Sequence, residues 1–138
     1  GDGIMVIFGA PEDDPNQEEH ALRTALEMQE AASEISRRWA AEGVDLNIGI
    51  GIHSGPAVVG SIGSSRRMDY TAIGDTVNLA ARLESATRDT GGGILIREYA
   101  YSALKGLWPM REAGSIQVKG RNDPVRTWAP AMPPAREA

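Results

Sequence analysis

The sequence predicts an α/β sandwich, an α+β arrangement with helices on one side of a mostly antiparallel sheet. Three stretches predict it. Val44, Leu46, Ile48, Ile50 and Ile52 fall at every second position, the period of a strand with one apolar face. Leu22, Ala25, Leu26, Gln29, Ala32, Ile35 and Trp39 recur at three- and four-residue spacing, the period of an amphipathic helix. Residues 69–84 run from a short strand through Gly74 into a second helical pattern. Strand and helix alternate, and each has one face to bury.

Composition narrows the class. A chain of 138 residues has room for one domain with one core. An apolar fraction of 41% is that of a globular protein and excludes a disordered one. A net charge of −5 gives no basic surface for nucleic acid. The chain has no cysteine, which excludes disulfides and thiolate metal sites and fits a reducing cytosol. No apolar run approaches a membrane span and no signal-peptide pattern is visible. The expectation is a cytoplasmic domain, with any membrane tether outside this chain.

Taken in order, residues 3–8 (Gly-Ile-Met-Val-Ile-Phe) are a short apolar run closed by Gly9 and Pro11, and predict a buried strand. Asp14 as N-cap, Pro15 at the first helical position and Gln17 at the third predict a helix start. The helix then runs to about Gly43, with His20 on its surface. In the strand of residues 44–52, Gly49 and Gly51 lie on the face opposite the isoleucines, where backbone or a ligand can approach closely. Gly49-x-Gly51 is not a dinucleotide loop: position 54 is Ser and the glycines lie within a strand. His53 and Ser54 are adjacent and so point to opposite faces, which argues against nucleophilic catalysis. Residues 57–62 and 68–73 flank the polar turn Ser64-Ser65-Arg66-Arg67 and predict a projecting hairpin.

Asp75 follows Gly74 and has an N-capping side chain. In the helix that follows, Val77, Ala80, Ala81 and Glu84 divide an apolar from a polar side. Asn78 and Arg82 are four apart and share one face. An amide and a guanidinium one turn apart, beside a helix start, suit a phosphate-bearing ligand. Residues 91–93 are three glycines, 94–96 a short buried strand, and 97–104 a short helix ended by Gly106. Residues 108–112, 115–118 and 125–128 predict short strands. Residues 1–129 form the domain, and 130–138 predict a frayed tail.

Four motifs carry a family resemblance. Tyr70-Thr71-x-x-Gly74-Asp75-Thr76-Val77-Asn78-x-Ala80-x-Arg82-Leu83-Glu84 closely resembles the signature of class III nucleotidyl cyclases, the adenylyl and guanylyl cyclase catalytic domain. The opening Gly1 to Pro11 resembles that family's second metal-aspartate motif. Gly55 to Gly63 resembles its glycine-punctuated arm, and Val118-Lys119-Gly120 its C-terminal lysine motif. The matches fall in family order and cover nearly the whole chain.

The resemblance implies a ferredoxin-like sandwich lacking the family's first strand and first helices, so the chain reads as part of a longer protein. It implies conversion of ATP to 3′,5′-cyclic AMP and pyrophosphate in intracellular signalling, by in-line attack of the ribose 3′-hydroxyl on the α-phosphorus with two Mg²⁺ or Mn²⁺ ions per site. Residue by residue, it places a metal aspartate on Asp2, the ribose-orienting amide on Asn78 and the phosphorane-stabilising cation on Arg82. The terminal-phosphate lysine falls on Lys119. The base-selecting position falls on Thr71, and the Ala72 carbonyl would receive the adenine amino group. Thr at that position accompanies adenine in the family, whereas guanylyl cyclases usually carry Cys. The first metal aspartate and the base-reading lysine would lie upstream of Gly1. The expected assembly is a homodimer of catalytic domains with composite sites, joined to an upstream regulatory or sensor domain. The 138-residue piece alone would be inactive. A guanylate cyclase is the runner-up, and a non-catalytic dimerisation or nucleotide-sensing module the alternative outside enzymes.

Overall fold

The computed structural model describes residues 3–64, 66–90, 93–118 and 123–131. The first element is α1, Gln17–Arg38. Its start differs from the expected cap. Asn16 occupies the N-cap position without a side-chain capping bond. Asp14 instead accepts the Asn16 N–H at 2.9 Å, and its carboxylate also pairs with His20 Nδ1. An Asx turn two residues on is what an aspartate makes readily in a loop. The His20 contact holds the Asp14 carboxyl below its ordinary value, with the Asn16 N–H adding to it.

The strands are β1 (Ile50–Ile52), β2 (Val58–Ser64), β3 (Arg67–Ile73), β4 (Ile94–Arg97), β5 (Met110–Ile116) and β6 (Val125–Pro130). The remaining helices are α2, Asp75–Thr90, and α3, Glu98–Leu104. Four strands form one sheet in the order β1-β4-β6-β5, and β2 with β3 forms the separate hairpin expected. β1 runs parallel to β4. The β4–β6 and β6–β5 pairs are antiparallel.

Helices on one side of the sheet is corrected by the packing, because both faces are covered. Ile52, Ile94 and Ile96 pack with Leu22 and Ala25 of α1 and Ala100 and Leu104 of α3. Leu95, between the two β4 isoleucines, packs on the opposite face with Leu83 of α2 and Ala129. Ile94, Leu95 and Ile96 are all buried. A strand apolar at consecutive positions has no face left for water.

Two expected strands are absent or shortened. Residues 3–8 form none, and Ile4 is 82% exposed. Of residues 44–52 only Ile50–Ile52 is strand, and Val44 and Leu46 are exposed. Strand backbone groups need a neighbour to pair with. Among the described residues β1 has only β4 beside it, over Ile50 to Ile52, and no strand runs beside residues 3–8. The same end of α1 carries Ile35 and Trp39, both exposed although they continue the apolar stripe.

Residues 108–118 make one strand rather than two. β5 carries an irregularity between Glu112 and Gly114 in its pairing with β6. Gly114 has φ +97°, a conformation glycine adopts without strain, so the strand bends there and continues. β6 extends one residue past 129. Pro130 pairs with Met110, and the Ala131 N–H donates to the Pro109 carbonyl at 2.8 Å. Residues 132–138 of the expected tail lie outside the described residues.

Candidate active site

β3 runs through Gly74 directly into α2. The Gly74 carbonyl accepts the N–H groups of Val77 and Asn78, each at 3.1 Å. The residue whose carbonyl takes the first helical bonds is the cap, so Gly74 holds that place rather than Asp75. Gly74 has φ +135°, which side-chain-bearing residues avoid. Asp75 is the first residue of the helix, where a carboxylate suits the positive end of the dipole.

The buried side of α2 carries Leu79, Leu83 and Thr87; Val77, Ala80 and Glu84 are half-buried and Ala81 is exposed. Thr87 donates from Oγ1 to the Glu84 carbonyl at 2.6 Å. The opposite side carries Asn78 and Arg82, both exposed. Arg82 makes no hydrogen bond or ion pair with a described residue. A guanidinium carries its charge at any physiological pH, and here five donors stand open on a helix face.

The helix reaches this position because β1 is bare beneath it. A β-carbon on Gly51 would meet the Ala80 carbonyl oxygen, and would stand 2.5 Å from Glu84 N and 2.8 Å from Leu83 Cβ. One on Gly49 would collide with Thr87 Oγ1. The close approach foreseen for these glycines is that of helix backbone and side chain, not of a ligand.

On β3, Thr71 is half-buried and the Ala72 side chain is buried. Thr71 stands opposite Gly60, and Ala72 opposite Val59. A β-carbon on Gly60 would find nothing within 4 Å. Directly opposed residues of an antiparallel pair share a face, so Thr71 has open space across the ladder. With its methyl group buried, Ala72 has only backbone to offer a ligand.

The structure thus brings Thr71, Ala72, Asn78 and Arg82 onto one strand–turn–helix unit. The expected metal ligand Asp2 and phosphate ligand Lys119 lie outside the described residues. Among the described residues no group of three or more His, Asp or Glu side chains is placed to hold a metal ion.

Sequence reasoning missed the support behind this unit. A cavity of about 370 Å³ lies between the end of β1, the start of α2 and Arg97. Along its wall, Thr76 Oγ1 donates to the Pro56 carbonyl. Ser54 Oγ donates to Glu18 Oε1 at 3.0 Å and accepts from Gln17 Nε2 at 3.3 Å, so it has a structural task. These partners are 20 to 37 residues apart, and no local pattern announces them.

The chain is similar to known proteins in sequence and in fold. Residues 1–129 match the family model for the adenylate and guanylate cyclase catalytic domain. Adenylate cyclase 1 of Rhizobium meliloti is 37% identical over 123 residues, covering 88% of this chain and 18% of that protein. The chain spans between 18% and 27% of the length of the first curated relatives. The crystal structure of the adenylyl cyclase CyaB from P. aeruginosa superposes with a TM-score of 0.80 at 34% identity, over 95% of this chain and 68% of that one. The guanylyl cyclase Cya2 superposes with a TM-score of 0.79 at 37% identity, over 94% and 68%.

Proposed function

The chain belongs to the adenylate and guanylate cyclase catalytic domain family, and we propose that it is the catalytic domain of an adenylate cyclase that converts ATP to 3′,5′-cyclic AMP and pyrophosphate. One observation carries the reading. Thr71, Ala72, Asn78 and Arg82 stand on a single β3–Gly74–α2 unit, with Asn78 and Arg82 exposed on one helix face. The reaction needs a group for the base, one for the ribose and one for the phosphoryl charge.

In this reading the Thr71 hydroxyl, which donates and accepts, satisfies the adenine edge, and the Ala72 carbonyl accepts from the adenine amino group. The Asn78 amide orients the ribose so that its 3′-oxygen faces the α-phosphorus. The 3′-oxygen bonds to that phosphorus, the bond to the bridging oxygen breaks, and pyrophosphate leaves. The hydroxyl proton passes to solvent. Arg82 meets the charge that develops on the α-phosphoryl oxygens, and Lys119 that on the terminal phosphates. Two Mg²⁺ or Mn²⁺ ions belong to the proposal, and Asp2 would be one of the two aspartates that hold them.

A homodimer with two composite sites completes the proposal. It is supported by apolar side chains left exposed on the narrow hairpin, Val58, Ile62, Met68, Tyr70 and Ile73; Val59 is half-buried. Because the chain spans so little of its curated relatives, an upstream regulatory domain is part of the reading. Among the described residues no helix is long and apolar enough to cross a membrane.

A guanylate cyclase is the second reading, favoured by the 37% identity to Cya2 against 34% to CyaB. Thr71 supports ATP, since Thr at that position accompanies adenine in the family. The experiment supplies the longer protein that contains this chain with ATP or GTP and Mn²⁺ and separates the products by chromatography. Cyclic AMP with equimolar pyrophosphate is the expected result. Cyclic GMP in preference, or no turnover with either, would overturn it.

A further inference from the structure

We infer that Thr76 is a positioning residue: its bond to the Pro56 carbonyl locks the arm that carries Thr71 onto the helix that carries Asn78 and Arg82, and so sets the span from base to α-phosphate. The inference rests on the cyclase reading above and deepens it.

The relevant contacts form a closed ring. Thr71 lies on β3, which passes through Gly74 into α2. A single glycine with φ +135° is a poor guarantee of angle, since glycine moves among many backbone conformations at little cost. At the second residue of α2, Thr76 Oγ1 donates to the Pro56 carbonyl, 20 residues back. Pro56 leads into β2 at Val58, and β2 pairs with β3 from Val58↔Ile73 to Ser64↔Arg67. The ladder returns the ring to Thr71, opposite Gly60. The Thr76 bond spans the joint between hairpin and helix without passing through Gly74.

The anchor for that bond is itself held. Ser54, two residues before Pro56, bonds to Glu18 and Gln17 of α1. Gly55 leaves room for the lock: a β-carbon there would stand 2.8 Å from Thr76 Oγ1 and 3.5 Å from Thr76 Cγ2. Valine at 76 would keep the shape of threonine and lose the hydroxyl, whereas serine would keep the hydroxyl. Thr76 touches neither base nor phosphate in this reading. Its effect passes through the geometry of Thr71 against Arg82, where a displacement of about 1 Å costs on the order of a hundredfold in rate.

The test uses the longer protein that contains this chain, in three variants: Thr76→Val, Thr76→Ser and Gly55→Ala. Thr76→Val and Gly55→Ala should each lower kcat for ATP by about tenfold or more with KM changed by less than about threefold, since the substrate still binds by either end but not in the reacting geometry. Both should also narrow the preference for ATP over GTP, and Thr76→Ser should restore both values. Loss of stability alone would lower the active fraction and leave the nucleotide preference unchanged; that outcome overturns the inference.

A second readout does not depend on turnover. This chain has no cysteine, so spin labels can be placed through cysteines at Ser61 on the arm and Arg88 on α2, both exposed. The distance distribution between them should broaden in Thr76→Val and sharpen again in Thr76→Ser. An unchanged distribution overturns the lock. An unvaried longer protein that turns over neither nucleotide while Thr76→Val broadens the distribution refutes the cyclase reading and leaves the lock standing as a structural device.

Discussion

Gly51 of β1 lies so close beneath the Ala80 carbonyl of α2 that no β-carbon fits between them. The helix that presents Asn78 and Arg82 can lie against the sheet only because this position is bare. Gly51→Ala forces backbone apart, since Glu84 N and Leu83 Cβ are also within 3 Å of the added atom. Overpacking of this kind costs about 1–3 kcal/mol. Urea denaturation of Gly51→Ala should show that loss at unchanged m-value, together with reduced turnover. Wild-type stability would mean that α2 is not held at this distance.

Arg82 stands exposed with no ion pair to a described residue, so its charge is available to a ligand. If it acts on charge that develops in the transition state, Arg82→Ala should lower kcat by about a hundredfold or more and change ATP affinity far less. Steady-state kinetics and equilibrium nucleotide binding separate the two. Equal losses in both would place Arg82 in ground-state binding.

Thr71 faces the open space over Gly60. Thr71→Cys replaces a good donor and acceptor by a weak one and should raise activity on GTP relative to ATP. The ratio of kcat/KM for the two nucleotides is the measurement, and an unchanged ratio removes Thr71 from base selection.

The composite site predicts complementation. Full-length proteins carrying Asp2→Ala or Arg82→Ala should each be inactive alone. Mixed and allowed to exchange, they should recover up to about a quarter of wild-type activity, because half the dimers are mixed and each has one intact site of two. No recovery despite mixed dimers demonstrated by mass spectrometry would sink the composite-site reading.

Asp14 gives the expected pH response. Its carboxyl is held below its ordinary value by His20, with the Asn16 N–H adding to it. A depressed folded value contributes stability that is fully present above the unfolded carboxylate range, and that stability is lost as pH falls through the folded value. The contribution should therefore disappear only in strong acid. Carboxyl NMR titration should show the Asp14 midpoint rising in His20→Ala. An unmoved midpoint would mean that the contact seen here is not made in solution.

The site unit was legible because residues 69–84 are contiguous: the strand, the glycine and the spacing of Asn78 to Arg82 all lie within one short run. The start of α2 was placed one residue late. Asp75 has the side chain of a cap, but the Gly74 carbonyl takes the first helical bonds. The side of α2 that is buried could not be read from Val77, Ala80, Ala81 and Glu84 either. Leu79 and Leu83 were as visible, and burial was decided by which side meets Gly51 and Leu95.

By itself the sequence determined the long helix α1, the β2–β3 hairpin, α2 and the cyclase family, because periodicity, turn residues and contiguous motifs are local properties. The tertiary structure decided what depends on a neighbour. Residues 3–8 are apolar but form no strand, because no described strand runs beside them. Leu95 turns a buried strand into one covered on both faces. Pro56 meets Thr76 across 20 residues. Hydrogen-bond partners and packed faces are relations between distant segments, and only the folded chain supplies the second member of each pair.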